Sequence, residues 1–237
     1  MSDPRHAYKV RRSDRARRSR LTVTEAGEVV VVLPHRAPGD EAGQLVARHA
    51  GWLDRHVGRL REERARLARR PALGEGRRLE VDGVPLRVWA VDAGAQRPGR
   101  GHVELAGEQL VVRLGRDGRE TAGVLEPWLR EGARSRLAER VAARAAEMAA
   151  RPGRITIRDQ SSRWASASRS GALSFSWRLL LVPPYVLDAV VVHELAHLRV
   201  RGHSRAFWAL VEGHAPRTAE ARRWLREHAR EVRAALR

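Results

Sequence analysis

The period of apolar and polar positions changes along the chain, and those changes predict its elements. Residues 21–24 and 28–33 are β-branched runs separated by Glu25-Ala26-Gly27, which predicts a hairpin, and Pro34 stops its second strand. From 40 to 69 the period lengthens. Leu45, His49, Trp52, His56 and Leu60 recur at spacings of three and four, the mark of one helical face. Pro71, Gly74 and Gly76 break that pattern. Two more strand pairs are expected: 78–81 with 86–91 through Asp82-Gly83, and 102–105 with 109–114 through Ala106-Gly107. Glycine reaches positive φ at little steric cost, so both junctions read as tight turns. The Gly-, Pro- and Arg-rich stretch 93–101 is expected to be a mobile loop.

Beyond residue 118 the helical period dominates. Residues 119–150 predict a long helix with Val124, Trp128, Leu137, Val141 and Met148 on its buried side, ended by Pro152-Gly153. Short strands are expected at 155–158 and 173–181; the second alternates poorly and reads as buried on both faces. Pro183-Pro184 opens a helix expected to run to about residue 200. Ser204 is placed to cap the next helix, and an amphipathic helix follows over 218–236. No internal repeat is present.

Composition narrows the chemistry. With 43% hydrophobic residues in 237, the chain can bury a sizeable core. It has no Cys, which excludes disulfides, thiolate metal sites and cysteine nucleophiles, and leaves His, Asp and Glu as ligands for a transition metal. Residues 1–20 form a basic arm without an apolar segment, and no run of 18 apolar residues occurs, so a cytoplasmic protein with no membrane contact is expected. Lys plus Arg is 46 against 28 Asp plus Glu, a net charge of +18, and Lys9 is the only lysine. Such an excess suits nucleic acid or another polyanion, but an arginine-biased composition gives the same count. Oligomeric state has no signature in the sequence.

The candidate chemistry lies at His193-Glu194-Leu195-Ala196-His197. Two histidines four apart on a helix stand one turn apart on one face, where they can hold one ion. Glu194 projects about 100° round the helix from His193, so it can reach a metal-bound water without being a ligand. The flanking residues, Val186 to Val192, are apolar nearly all round, which predicts a buried helix. Two imidazoles and a carboxylate buried there need a partner, and a divalent cation with a water serves all three. Gly202 can end the helix in a left-handed conformation and let His203 swing back as third ligand. Three protein ligands leave a position open for water, the catalytic pattern. Glu212 and Glu220 are rival third ligands of the gluzincin type. A metzincin is disfavoured: its Gly three residues after the second His is Val200 here, and the methionines, Met1 and Met148, lie upstream.

These residues have company that resembles a known family. Arg163-Trp164-Ala165-Ser166-Ala167-Ser168, Gly171, Ser176-Trp177-Arg178-Leu179, Pro184 through Asp188, the His-Glu-Leu-Ala-His-Leu segment, Gly202-His203-Ser204 and Phe207-Trp208 are similar to the YgjP-like metallopeptidase domain, a relative of the SprT-like zinc proteases. The strongest part covers about 155–212, and Arg11-Arg12-Ser13 with the strand Val29 to Pro34 extends the likeness toward the N-terminus. The resemblance implies a zinc hydrolase with His193, His197 and His203 as metal ligands, Glu194 as general base and a polypeptide as substrate. The family pattern reads Arg-Trp-Gly-Ser-Cys-Ser; Ala165 and Ala167 stand where it has Gly and Cys, Ser176 where it has Asn, and Ala196 where a Cys is common. No ligand or base is lost by these departures.

The expected fold class is therefore α+β: a basic arm over 1–20, a strand-rich part over 21–118, and a helical zincin-like catalytic part over 119–237 with a short sheet beside the motif helix. The expected reaction is attack of a zinc-bound water, activated by Glu194, on a peptide carbonyl. Nucleotide phosphohydrolysis by the same water, and an Arg-rich DNA-associated module with a structural metal, are the competing readings. Arg163 reads as a structural ion-pair residue or an oxyanion donor. Tyr185 reads as a packing residue at the helix start, and Trp164, Trp177 and Trp208 as core. His214 reads as a capping or surface residue rather than a ligand, and His49 and His56 as ordinary histidines of one helix face.

Overall fold

The computed structural model describes residues 6–24, 27–92, 94, 99–160 and 163–237. The expected turn residues Glu25 and Ala26, and five positions of the expected 93–101 loop, lie outside them. The fold class is α+β, with strands early and helices late, and the chain divides into two compact units, Met1–Arg70 and Pro71–Arg237. The compositional change near residue 118 falls inside the second unit, where its strands give way to helices.

The first unit is a three-stranded sheet backed by two helices. Strands β1 (Tyr8–Ser13), β2 (Arg20–Val23) and β3 (Val29–Pro34) lie in the order β1-β3-β2, with β3 antiparallel to β2 and parallel to β1. Strand β1 occupies part of the sequence read as a basic arm. An edge strand needs only backbone pairing, and its charged side chains stay in water, so its sequence resembles a solvated tail. The Arg12 guanidinium donates to the carbonyls of His35 at 2.7 Å and Ala37 at 3.0 Å and ties β1 to the turn after β3. Val29, Val31 and Leu33 alternate inward and pack on Ala42 and Val46 of α1 (Glu41–Arg48) and on Leu53 and Val57 of α2 (Ala50–Ala68). The single helix expected over 40–69 is thus two, broken at His49, whose φ of −110° and ψ of 14° leave the helical region.

The second unit opens with four strands: β4 (Glu75–Val81), β5 (Val84–Val91), β6 (His102–Ala106) and β7 (Gln109–Arg113). Both predicted hairpins form, and β5 pairs with β7 in parallel to give the order β4-β5-β7-β6. Asp82 and Gly83 turn the first hairpin with φ of 50° and 81°. Two successive positive φ values match the right-handed twist of the strands they join.

Helix α3 (Thr121–Glu147) buries Leu125, Leu129, Ala133, Leu137 and Val141 at spacings of four. It packs against the second part of the unit, where β8 (Ile155–Arg158), β9 (Ala165–Ala167) and β10 (Leu173–Ser176) form a sheet in the order β8-β10-β9. The strand expected over 173–181 stops at Ser176, and Trp177–Leu181 winds into a 3-10 turn with Trp177 and Leu179 fully buried. Its apolar run predicted burial correctly, but burial alone does not separate a strand from a tight helix. The Ser176 hydroxyl accepts the Arg178 N–H at 3.3 Å and starts the turn. Helices α4 (Pro184–Ala196), α5 (Arg205–His214) and α6 (Thr218–Arg233) complete the unit. Helix α4 ends at Ala196, four residues before the expected 200, and continues only as hydrogen-bonded turns through Val200.

Candidate functional site

Helix α4 is built to be buried. Val186, Leu187, Ala189, Val191, Val192, Leu195 and Ala196 point into the core around its circumference, so its polar residues lie among apolar neighbours. Asp188 is held by α3: Arg144 donates to both carboxylate oxygens, Nε to Oδ1 at 2.8 Å and Nη2 to Oδ2 at 2.6 Å, with Arg140 3.5 Å away. That fork fixes the roll and height of α4 against α3.

His193 and His197 follow on the last turns of α4, and the chain returns quickly. Gly202 takes a φ of 73°, and Ser204 caps α5 by accepting the Phe207 N–H at 3.3 Å. The short loop between the helices delivers His203 to the other two. The Nε2 atoms of His193 and His203 are 3.2 Å apart, and one ring nitrogen from each of the three histidines lies within 4.8 Å of the others. Two nitrogens bound to one zinc at ~2.0–2.1 Å with tetrahedral angles would stand about 3.3 Å apart, so the His193–His203 spacing fits such an ion, with His197 near enough to join it. Among the described residues this is the group that could hold a metal. Phe207 lies against all three imidazoles, with ring centroids 4.9, 4.5 and 4.9 Å from those of His193, His197 and His203.

The electrostatics suit a cation. Burial, with His197, His203 and Arg222 adding to it, pushes the His193 imidazole down to about 4. Burial, then His203, also lowers His197. Both rings are therefore neutral near pH 7, the form that binds a metal. Glu194 is 6% exposed, and burial raises its carboxyl to about 7, against a backbone hydrogen bond from Ala167 and the charge of Arg163. A carboxyl poised there can hold or release a proton at neutral pH.

Ala167 belongs to β9, the edge strand that packs beside α4. The Trp164 carbonyl accepts the Ser176 N–H and the Ser168 N–H reaches the Ala172 carbonyl, both at 2.8 Å. Antiparallel alternation then turns the backbone groups of Ala165 and Ala167 to the open edge. A cavity of about 300 Å³ opens beside His193 and Glu194 between α4, α6 and the start of β9.

The other singled-out residues divide clearly. Arg163 is exposed and lines the cavity; Trp164 lines it as well, and Trp208 stacks 5.6 Å from His203 under the Arg222 guanidinium. Of the three tryptophans read as core, only Trp177 is fully buried. The Tyr185 ring carries the Arg217 guanidinium at 3.6 Å, and Arg217 grips Glu220 with bonds of 2.8 and 2.7 Å. Glu212 is exposed on α5, and neither Glu212 nor Glu220 joins the histidine group. His214 caps its own helix through the Leu210 carbonyl at 3.0 Å, and His56 stacks on Trp52. Arg144 supports the site without a local signal in the sequence, because it meets the motif helix from α3; Ala167 and Phe207 stood in the resembling segments, but their contacts come from other elements.

A helix-borne His-Glu-x-x-His with a third imidazole returned to it is the arrangement of a metal-dependent hydrolase. The chain matches the YgjP-like, metallopeptidase domain over residues 17–228 and belongs to that family. The crystal structure of the metallopeptidase zymogen abylysin of Pyrococcus abyssi is 24% identical, covering 38% of this chain and 93% of its own, with a TM-score of 0.36. Among curated proteins none matches. Among the described residues no helix is long and apolar enough to cross a membrane.

Proposed function

We propose that this chain is a zinc-dependent peptidase in which His193, His197 and His203 hold the metal, Glu194 is the general base and a polypeptide is the substrate. The observation that carries this reading is the 3.2 Å approach of His193 and His203 within a three-imidazole group. A zinc ion there would supply a Lewis acid for the scissile carbonyl and bring a water's pKa to roughly 7. Glu194 takes the proton of the attacking water and passes it to the leaving amine. The open edge at Ala165 offers backbone partners that an extended peptide can pair with, which aligns a peptide bond over α4.

The test compares the zinc-loaded full chain with Glu194→Gln on unfolded proteins, DNA-bound proteins and nucleoside triphosphates. Peptide-bond cleavage by the wild type, lost in a variant that still holds about one zinc, supports the reading. Activity surviving in Glu194→Gln removes the base, and turnover of triphosphates alone replaces the peptidase by a phosphohydrolase.

A further inference from the structure

We propose that the cavity beside His193 and Glu194 is a specificity pocket that takes a large apolar side chain of the substrate and refuses a basic one. This inference rests on the peptidase reading and names the sequence such an enzyme prefers. The void is about 300 Å³, many times the ~30 Å³ share of one water and at the lower end of the ~300–1,000 Å³ typical of ligand pockets.

The wall chemistry is apolar and its small residues create the space. Ala189 and Val190 stand one turn before His193 and Glu194 on the same face of α4, so the pocket floor runs directly into the site. Ala221 and Leu225 of α6 face them, and Trp164 closes a third side. Ala189 and Ala221 both line the cavity, and their short side chains leave room that a longer one would take up. A peptide crossing His193 and Glu194 therefore sets a neighbouring side chain over an apolar hole.

The charges beside it have one sign. Arg163 and Arg222 line the cavity, and among the described residues Glu194 is its sole carboxylate. Arg222 is fixed by its stack on Trp208, 4.4 Å from the ring centroid. A Lys or Arg side chain entering there gives up water and meets two guanidiniums, with no acidic group to pair with except the base itself. An apolar side chain gives up no polar hydration by entering, and the burial it gains offsets its lost rotamer freedom.

The experiment exposes the zinc-loaded full chain to a mixed peptide library and reads cleavage sites by mass spectrometry. Leu, Phe or Met should be enriched about tenfold or more at one position next to the scissile bond, as burying such a side chain allows, with Lys and Arg depleted. Ala221→Leu should shift that position to Gly, Ala and Ser. Arg222→Glu, an exposed change that leaves the core alone, should admit Lys and Arg there. A flat profile, or one that neither variant alters, overturns the pocket. In parallel, a Leu-containing and a Lys-containing peptide amide are titrated onto zinc-loaded Glu194→Gln protein, which binds without turnover. Tighter binding of the Leu peptide, weakened by Ala221→Leu, upholds the pocket even if the wild type cleaves nothing, in which case the peptidase reading alone falls. Equal binding of the two peptides removes the pocket whatever is cleaved.

Discussion

The Nε2 atoms of His193 and His203 face each other at 3.2 Å although ten residues and a helix end separate them. At that distance one neutral ring can donate to the other, and the same two nitrogens are spaced as ligands of one zinc would be. Removing one ligand of three should cost far more metal affinity than removing a neighbour. His203→Ala is expected to lose at least tenfold in zinc affinity by competition with a chelator, while Glu212→Ala and Glu220→Ala stay within about twofold, on the general scale of ligand and non-ligand changes. A loss in Glu212→Ala or Glu220→Ala that matched His203→Ala would transfer the third position to that carboxylate.

Glu194 gives a pH signature in the metal-free protein. Its folded value of about 7 exceeds the ordinary carboxylate value, so the folded state holds its proton more tightly than the unfolded chain. That stabilisation is full at low pH and is lost as pH rises from about 4.5 to 7. His193, lowered to about 4, acts in the opposite sense: the unfolded chain takes up its proton first, so stability falls as pH drops from about 6.5 to 4. The two slopes oppose one another in the wild type. Glu194→Gln removes only the first, so denaturant unfolding should show it more stable than wild type at pH 8 by up to roughly 3 kcal/mol, and equal near pH 4. A variant equally stable at both pH values would show that the carboxyl is not strained by burial.

The Arg144–Asp188 fork predicts a mechanical effect. The side chains are 22% and 14% exposed, so the pair is largely screened from water. Asp188→Asn keeps one acceptor oxygen but removes the charge and one of the two bonds of the fork, and should cost about 1–3 kcal/mol in stability, less than a fully buried pair would. Because α4 carries His193 and ends against His197, zinc affinity should fall as well, although Asp188 touches neither. Thermal unfolding with and without zinc measures both effects; an unchanged zinc-dependent shift would confine the fork to stability.

Arg11, Arg15, Arg17, Arg18 and Arg20 are all exposed, with Asp14 the one acid among them. If this stretch binds a polyanion, affinity for duplex DNA should fall steeply with salt, and replacing three of these arginines by Gln should lower the slope of log K against log salt by about 3, near one per phosphate contact. Equal slopes for variant and wild type would assign the charge excess to composition alone.

The α+β class, both hairpins of the second unit, the helix over α3 and the Ser204 cap were legible in the sequence because each rests on local period or turn chemistry. The break at His49, the end of α4 at Ala196 and the 3-10 turn at Trp177–Leu181 were not, since apolar spacing reports burial more surely than backbone angle. Strand β1 was hidden by charge: an edge strand keeps arginines in water, so its alternation is erased.

The sequence by itself determined the pair His193 and His197 with Glu194 between them, because a spacing of four on a helix is a geometric statement. It also presented His203 through the left-handed freedom of Gly202. Only the tertiary structure decided what surrounds them. Phe207 lies against the three rings from α5, the Ala167 backbone restrains Glu194 from β9, Arg144 grips the motif helix from α3, and two alanines on different helices leave a cavity beside the site. These are contacts between elements far apart in the chain, set by how faces pack, and no local pattern encodes which faces meet.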